Sequence, residues 1–157
     1  MNARLACVLV ALAATTACNR PLFDRPKPAI ERMNPEIPPG RFHVLATIAG
    51  GNARTDLRIS ATARQQLSDS GFTVIRKAGR WETQQEAVRQ ICAPGQVPPV
   101  DGVLFVWYNR IELRDCTTES AAYEINGQGS VGITGMIDRL VAWLKRDSVA
   151  PASTPSP

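Results

Sequence analysis

The sequence predicts a mixed α+β domain in the order β-α-β-α-β-β-α, a single mixed sheet of about four strands with helices packed on it. Three observations predict it. Short β-branched or apolar runs alternate with amphipathic stretches between residues 42 and 147. The run 102–108 (GVLFVWY) is apolar on both faces, as a central strand covered on both sides must be. Ile133, Met136, Ile137, Leu140, Val141 and Leu144 fall at i, i+3, i+4, i+7, i+8 and i+11, which places them on one stripe of a closing helix.

The elements follow in order. Residues 43–49 (HVLATIA) read as a strand that stops at Gly50-Gly51. A helix comes next, with Asn52 or Thr55 as its cap and Asp56 near its positive end; Leu57, Ala61, Ala63 and Leu67 form its apolar side, and Gly71 stops it. Residues 72–76 (FTVIR) form a short β-branched strand. Thr83, with Glu86 three residues on, is a capping-box pattern, and Ala87, Val88 and Ile91 give the second helix its inner face before Pro94-Gly95 ends it. After the central strand, Ile111 and Leu113 alternate with Glu112 and Arg114, the chain turns near Thr117-Thr118, and 121–125 return as a hairpin.

Length and composition set the boundaries. The chain has 157 residues, 44% hydrophobic and 20% charged, enough for one core and too few for two once its apolar start and proline-rich flanks are set aside. Residues 1–17 read as a signal peptide: Arg4 makes the start positive, the apolar run 5–14 (LACVLVALAA) is about half the ~20 residues of a spanning helix, and small residues follow. Residues 18–41 contain Pro21, Pro26, Pro28, Pro35, Pro38 and Pro39 and read as a tether able to reach up to ~70 Å, or alternatively as a segment that folds on a partner through Phe23 and Ile30. Residues 42–147 are the globular domain, and 148–157 (SVAPASTPSP) a disordered tail.

The Thr15-Thr16-Ala17-Cys18 junction resembles the lipobox of bacterial lipoproteins. That resemblance implies cleavage before Cys18 and acylation of its thiol, by palmitate among other chains. It also implies an anchor in the membrane and, with Asn19 next, a place on the periplasmic side of the outer membrane. Thr15 stands where the family pattern has an aliphatic residue, which leaves ordinary signal cleavage as the alternative. Setting aside Cys7 in the signal and Cys18 leaves Cys92 and Cys116, an even pair that an oxidising periplasm would join as a disulfide; two buried thiols are the alternative.

The chemistry is sparse. A net charge of +4 without a run of Lys or Arg gives no nucleic-acid face. Gly127-Gln128-Gly129-Ser130-Val131-Gly132 spells G-x-G-x-x-G, but the helix after it leads to no second parallel strand, so no dinucleotide cofactor is expected. One histidine, His43, supports neither a hydrolytic triad nor a metal set. Asp101, Glu112, Asp115, Glu119 and Glu124 alternate around a charged hairpin of the kind that keeps a sheet face soluble. No residue is assigned a catalytic role. Trp143 stands off the main helical stripe beside Lys145 and Arg146; with Trp107 and Phe23 it is a candidate partner contact, the alternative being that it covers the rim of the core.

The stretch from Leu67 to Lys145 resembles periplasmic β-α-β-α-β domains such as the N-terminal domain of the Tol-system translocation protein and the lipoprotein activators of penicillin-binding proteins. The matching features are Leu67-Ser-Asp-Ser-Gly71-Phe-Thr-Val, Val100-Asp101-Gly102-Val103-Leu104 and the closing amphipathic helix. The expected function is that of an outer-membrane-anchored, non-enzymatic binding or scaffold module for a periplasmic or envelope protein complex. The alternatives are an immunity lipoprotein that neutralises a periplasmic toxin, and an enzyme with a deep polar pocket holding clustered carboxylates or His43.

Overall fold

The computed structural model describes residues 28–51, 54–128 and 131–146. They form β1 (Ile30–Met33), a 3-10 turn (Pro39–Arg41), β2 (Val44–Ala49), α1 (Arg54–Asp69), β3 (Thr73–Arg76), α2 (Gln84–Ile91), β4 (Gly102–Val106), β5 (Arg110–Asp115), β6 (Ala121–Asn126) and α3 (Ile133–Leu144). The mixed α+β class holds. The sheet, however, has six strands in the order β1-β6-β5-β4-β2-β3, where about four were expected. The hairpin supplies two full strands, and one more comes from the segment expected to be tether.

That segment is corrected from its second half onward. Ile30–Met33 pair antiparallel with β6, from Ile30↔Asn126 to Met33↔Tyr123, and Ile37 and Phe42 are buried in the core. The prolines at 28, 35, 38 and 39 all lie outside the strand, and the strand sits at the sheet edge, so no ladder donor is lost. The expected signal segment, Cys18, Phe23 and the tail from 148 lie outside the described residues.

The sheet has two unlike faces. β3, β2 and β4 run parallel to one another, and β4, β5, β6 and β1 are antiparallel. On one face Leu45, Leu104, Val106, Ile111, Leu113 and Ile125 pack with Ala63 and Leu67 of α1 and with Met136, Ile137 and Leu140 of α3. On the other, Ala46, Ile48, Val103 and Phe105 pack with Ala87, Val88 and Ile91 of α2. This second layer stops at β4. Beyond it, the same face of β5 and β6 carries Glu112, which pairs with Arg110 and with Arg114 (2.6 Å), and Glu124, which pairs with Arg110 at 3.1 Å.

Local signals behave as their chemistry requires. Gly71 (φ +98°) ends α1 in the left-handed region, with the Phe72 amide donating to the Leu67 carbonyl and the Gly71 amide to that of Ser68. The Thr83 hydroxyl accepts from the Glu86 amide at 3.1 Å, while the Glu86 carboxylate reaches back to the Glu82 amide, one residue beyond the expected capping box. The inner side of α1 is Ser60, Ala63 and Leu67; Leu57 is 50% exposed and Ala61 is also exposed. Cys92, at the end of α2, is bonded to Cys116, just past β5, across a Cα separation of 5.3 Å. The bridge ties the second layer to the sheet at its open side.

Trp143 belongs to the core, which corrects its expected role as a partner contact. It is 4% exposed, with its ring 5.9 Å from that of Phe42 and 5.2 Å from that of Tyr123. The helix stripe widens because α3 also packs on the 3-10 turn, a wall contributed by the segment read as tether.

Candidate ligand-binding cleft

Adjacent parallel strands β2 and β3 send their following helices to opposite faces of the sheet, α1 to one and α2 to the other. The connections therefore diverge and open a crevice beyond the carboxyl ends of the strands, the place where open α/β sheets bind ligands. Two adjoining recesses occupy it.

The larger, of about 580 Å³, lies on the α2 side and is lined by Gly50, Gly79, Arg80, Trp81, Phe105 and Trp107 among others. The smaller, of about 370 Å³, lies on the α1 side and is lined by Leu57, Arg58, Ser60, Arg64, Arg76 and Lys77 among others. Ile48, Ala49, Gly51, Gly79 and Trp81 border both. Both volumes fall within the ~300–1,000 Å³ of small-molecule sites.

Two tryptophans shape the larger recess. The ring of Trp107 lies so close over Gly50 that a Cβ there would meet it at 2.2 Å, and Trp81 lies over Gly79 in the same way, at 2.4 Å. Both glycines are needed for the rings to approach the backbone. Trp107 stacks on Phe105 at 5.8 Å and has the Arg110 guanidinium 5.2 Å from its centroid, while the indole N–H of Trp81 donates to Gln90 at 2.9 Å. Each indole is half-buried, anchored along one side and open to the recess along another. Of the residues singled out from sequence as partner contacts, Trp107 is the one that lies in this cleft.

The smaller recess is cationic. Among the described residues no carboxylate lies within ion-pair distance of Arg58, Arg64, Arg76, Lys77 or Arg80. Burial, and then the like charge of Arg76, lower the pKa of the Arg64 guanidinium. These five cations line the two recesses with one carboxylate, Glu82, and the Asp56 carboxylate lies against Gly51 at their shared border.

The other candidates serve the fold. Asp101 accepts from the amides of His43 and Val44 at 2.8 and 2.7 Å and fixes the start of β2. The Asp115 carboxylate, fully buried, accepts from the Thr118 amide and hydroxyl and pairs with Arg41. Glu119 pairs with Arg89 at 3.0 Å. The His43 side chain is exposed, at the opposite end of β2 from the cleft. A Cβ at Gly127 would meet the Val131 carbonyl at 2.5 Å. Among the described residues no group of three or more His, Cys, Asp or Glu is arranged to hold a metal ion, and no helix is long and apolar enough to cross a membrane.

No protein-family model matches the chain, and no curated protein matches it. Among solved structures, the chain is similar to the PelC dodecamer from Paraburkholderia phytofirmans, at 14% identity and a TM-score of 0.43 over 74% of this chain and 93% of that one. It is similar to a variant of the same dodecamer at 14% identity and a TM-score of 0.42, over 74% and 94% of the two chains.

Proposed function

We propose that this chain is a lipid-anchored periplasmic binding module that recruits a component of an envelope assembly without converting it chemically. The binding surface is the cleft beyond the carboxyl ends of β2, β3 and β4. The observation that carries this reading is the pairing of two half-buried tryptophans with recesses of ligand size at the divergence of the α1 and α2 connections. The carboxylates of the charged hairpin are each engaged by an arginine, a turn or a backbone amide, which favours a binding role over acid–base chemistry.

Anchoring through Cys18 and placement in the periplasm rest on the signal-like start of the sequence and on the Cys92–Cys116 bridge, which suits an oxidising compartment. The test is in-cell crosslinking of the full chain, tagged at its carboxyl end and expressed at native level, with Trp81→Ala/Trp107→Ser compared against the unaltered protein. The unaltered chain should retain a recurrent envelope component that the double variant, checked for folding by near-ultraviolet circular dichroism, loses. An identical set of crosslinked components from both would overturn the assignment of the cleft.

A further inference from the structure

We propose that the α1-side recess is a phosphate subsite and that the ligand of the cleft is a phosphorylated molecule whose body lies in the adjoining recess against Trp81 and Trp107. This rests on the cleft being the binding surface and adds the chemistry of what it binds.

The argument begins with how the cations are held. Arg64 donates to the hydroxyl of Ser60 at 3.3 Å, and Ser60 is 2% exposed, so the contact is built into the helix–sheet packing. Lys77 donates to the Gln96 side-chain carbonyl at 3.3 Å. Both acceptors are neutral. They orient the two cations and leave the charge in place, unlike Arg41, Arg89, Arg110, Arg114 and Arg139, each of which meets a carboxylate.

The arrangement is unfavourable without an anion. Arg64 is partly withdrawn from water beside a second guanidinium, Arg76. An oxyanion in the recess offsets that burial and like-charge penalty. Arg58, Arg64 and Arg76 line the recess and would supply its guanidinium partners, while Lys77 borders it with its ammonium held on Gln96.

Charge and geometry select phosphate. Three arginines around one recess call for more than one negative charge, and a phosphate monoester carries about −1.5 to −2 at neutral pH with three acceptor oxygens. Planar guanidinium forks match those oxygens in pairs. Trp81 borders both recesses, so a group attached to the phosphate emerges onto its ring and toward Trp107. A sugar phosphate and the headgroup of an anionic lipid share this chemistry.

Binding is read from tryptophan fluorescence and calorimetry on the folded, disulfide-bonded chain. The probes are inorganic pyrophosphate, glucose 1-phosphate, unphosphorylated glucose, and phosphatidylcholine vesicles with or without phosphatidic acid. The expected result is saturable binding of the phosphorylated probes and none of glucose, weakened about tenfold or more by Arg64→Gln and by Arg76→Gln, and unchanged by Arg32→Gln on the far edge of the sheet. Binding of glucose 1-phosphate in solution identifies a soluble source, and binding confined to phosphatidic acid vesicles identifies a lipid headgroup; either supports the proposal if the two cleft variants weaken it about tenfold or more. No binding of any phosphorylated probe, or equal weakening by Arg32→Gln, overturns it. If the crosslinked envelope component is nonetheless retained and remains dependent on Trp81 and Trp107, the binding-module reading survives that result; if that dependence is absent as well, both fall.

Discussion

Replacing Cys92 and Cys116 together by alanine removes the one covalent link between the α2 layer and the far side of the sheet in the described structure. The bridge closes a loop with a sequence separation of 24. In the chain-entropy model a crosslink of that span lowers the freedom of the unfolded chain by about 3.5 kcal/mol at 25 °C. Both cysteines also pack against the cluster of Val88, Ile91 and Val103, so the alanines lose some buried contact besides. Against a urea slope of about 1–3 kcal/mol/M for a small domain, the midpoint should fall by about 1–3 M. The assay is urea unfolding followed by circular dichroism, on oxidised protein, on the same protein with reductant, and on the double variant. Oxidised protein should stand well above the other two. Coincident midpoints, or two thiols that react with an alkylating agent before any reductant is added, would refute the reasoning and with it the support that the bridge lends to an oxidising compartment.

Trp143→Ala should cost about 3–5 kcal/mol in the same assay, because it empties the space between Phe42 and Tyr123; a change below about 1 kcal/mol would return Trp143 to the surface. Tyr123 is fully buried and donates to Glu31 at 2.8 Å, and burial first, then Glu31, raises its pKa from the ordinary 10.0. Above about pH 10 the unfolded chain therefore releases a proton that the folded chain keeps, so stability should fall as pH rises past that point, and Tyr123→Phe should flatten the fall. Cys18→Ser should move the protein out of the membrane fraction; a variant still sedimenting with membranes would contradict lipid anchoring.

What the sequence made legible is what local chemistry controls. The Thr83 cap, the Gly71 stop, the α3 stripe, the doubly covered strand at 102–106 and the Cys92–Cys116 pairing each depend on residues close together or on a parity of cysteines. β1 was hidden because four residues between prolines make a strand only when β6 offers an edge. Trp143 was misplaced for the same reason, since the wall it packs on comes from that proline-rich segment.

Of the cleft, only Trp107 was singled out residue by residue as a partner contact. Gly50, Arg58, Arg76, Trp81 and Trp107 come from different connections, and no two cations of the cleft form a run longer than Arg76-Lys77. A signal existed at the level of topology, because a β-α-β-α-β order with helices on both faces places a crevice beyond the carboxyl ends of its parallel strands. Gly50-Gly51, the stretch after Arg76, and Trp107 mark those ends in the sequence.

The most direct test of the cleft is a photo-activated crosslinking residue at Ala78, exposed on the lip of the α1-side recess, against the same residue at Asp138, exposed on α3. Irradiated in cells, position 78 should capture a discrete envelope component that position 138 does not. The same component captured at 138 and absent at 78 would place the binding surface elsewhere and contradict the account.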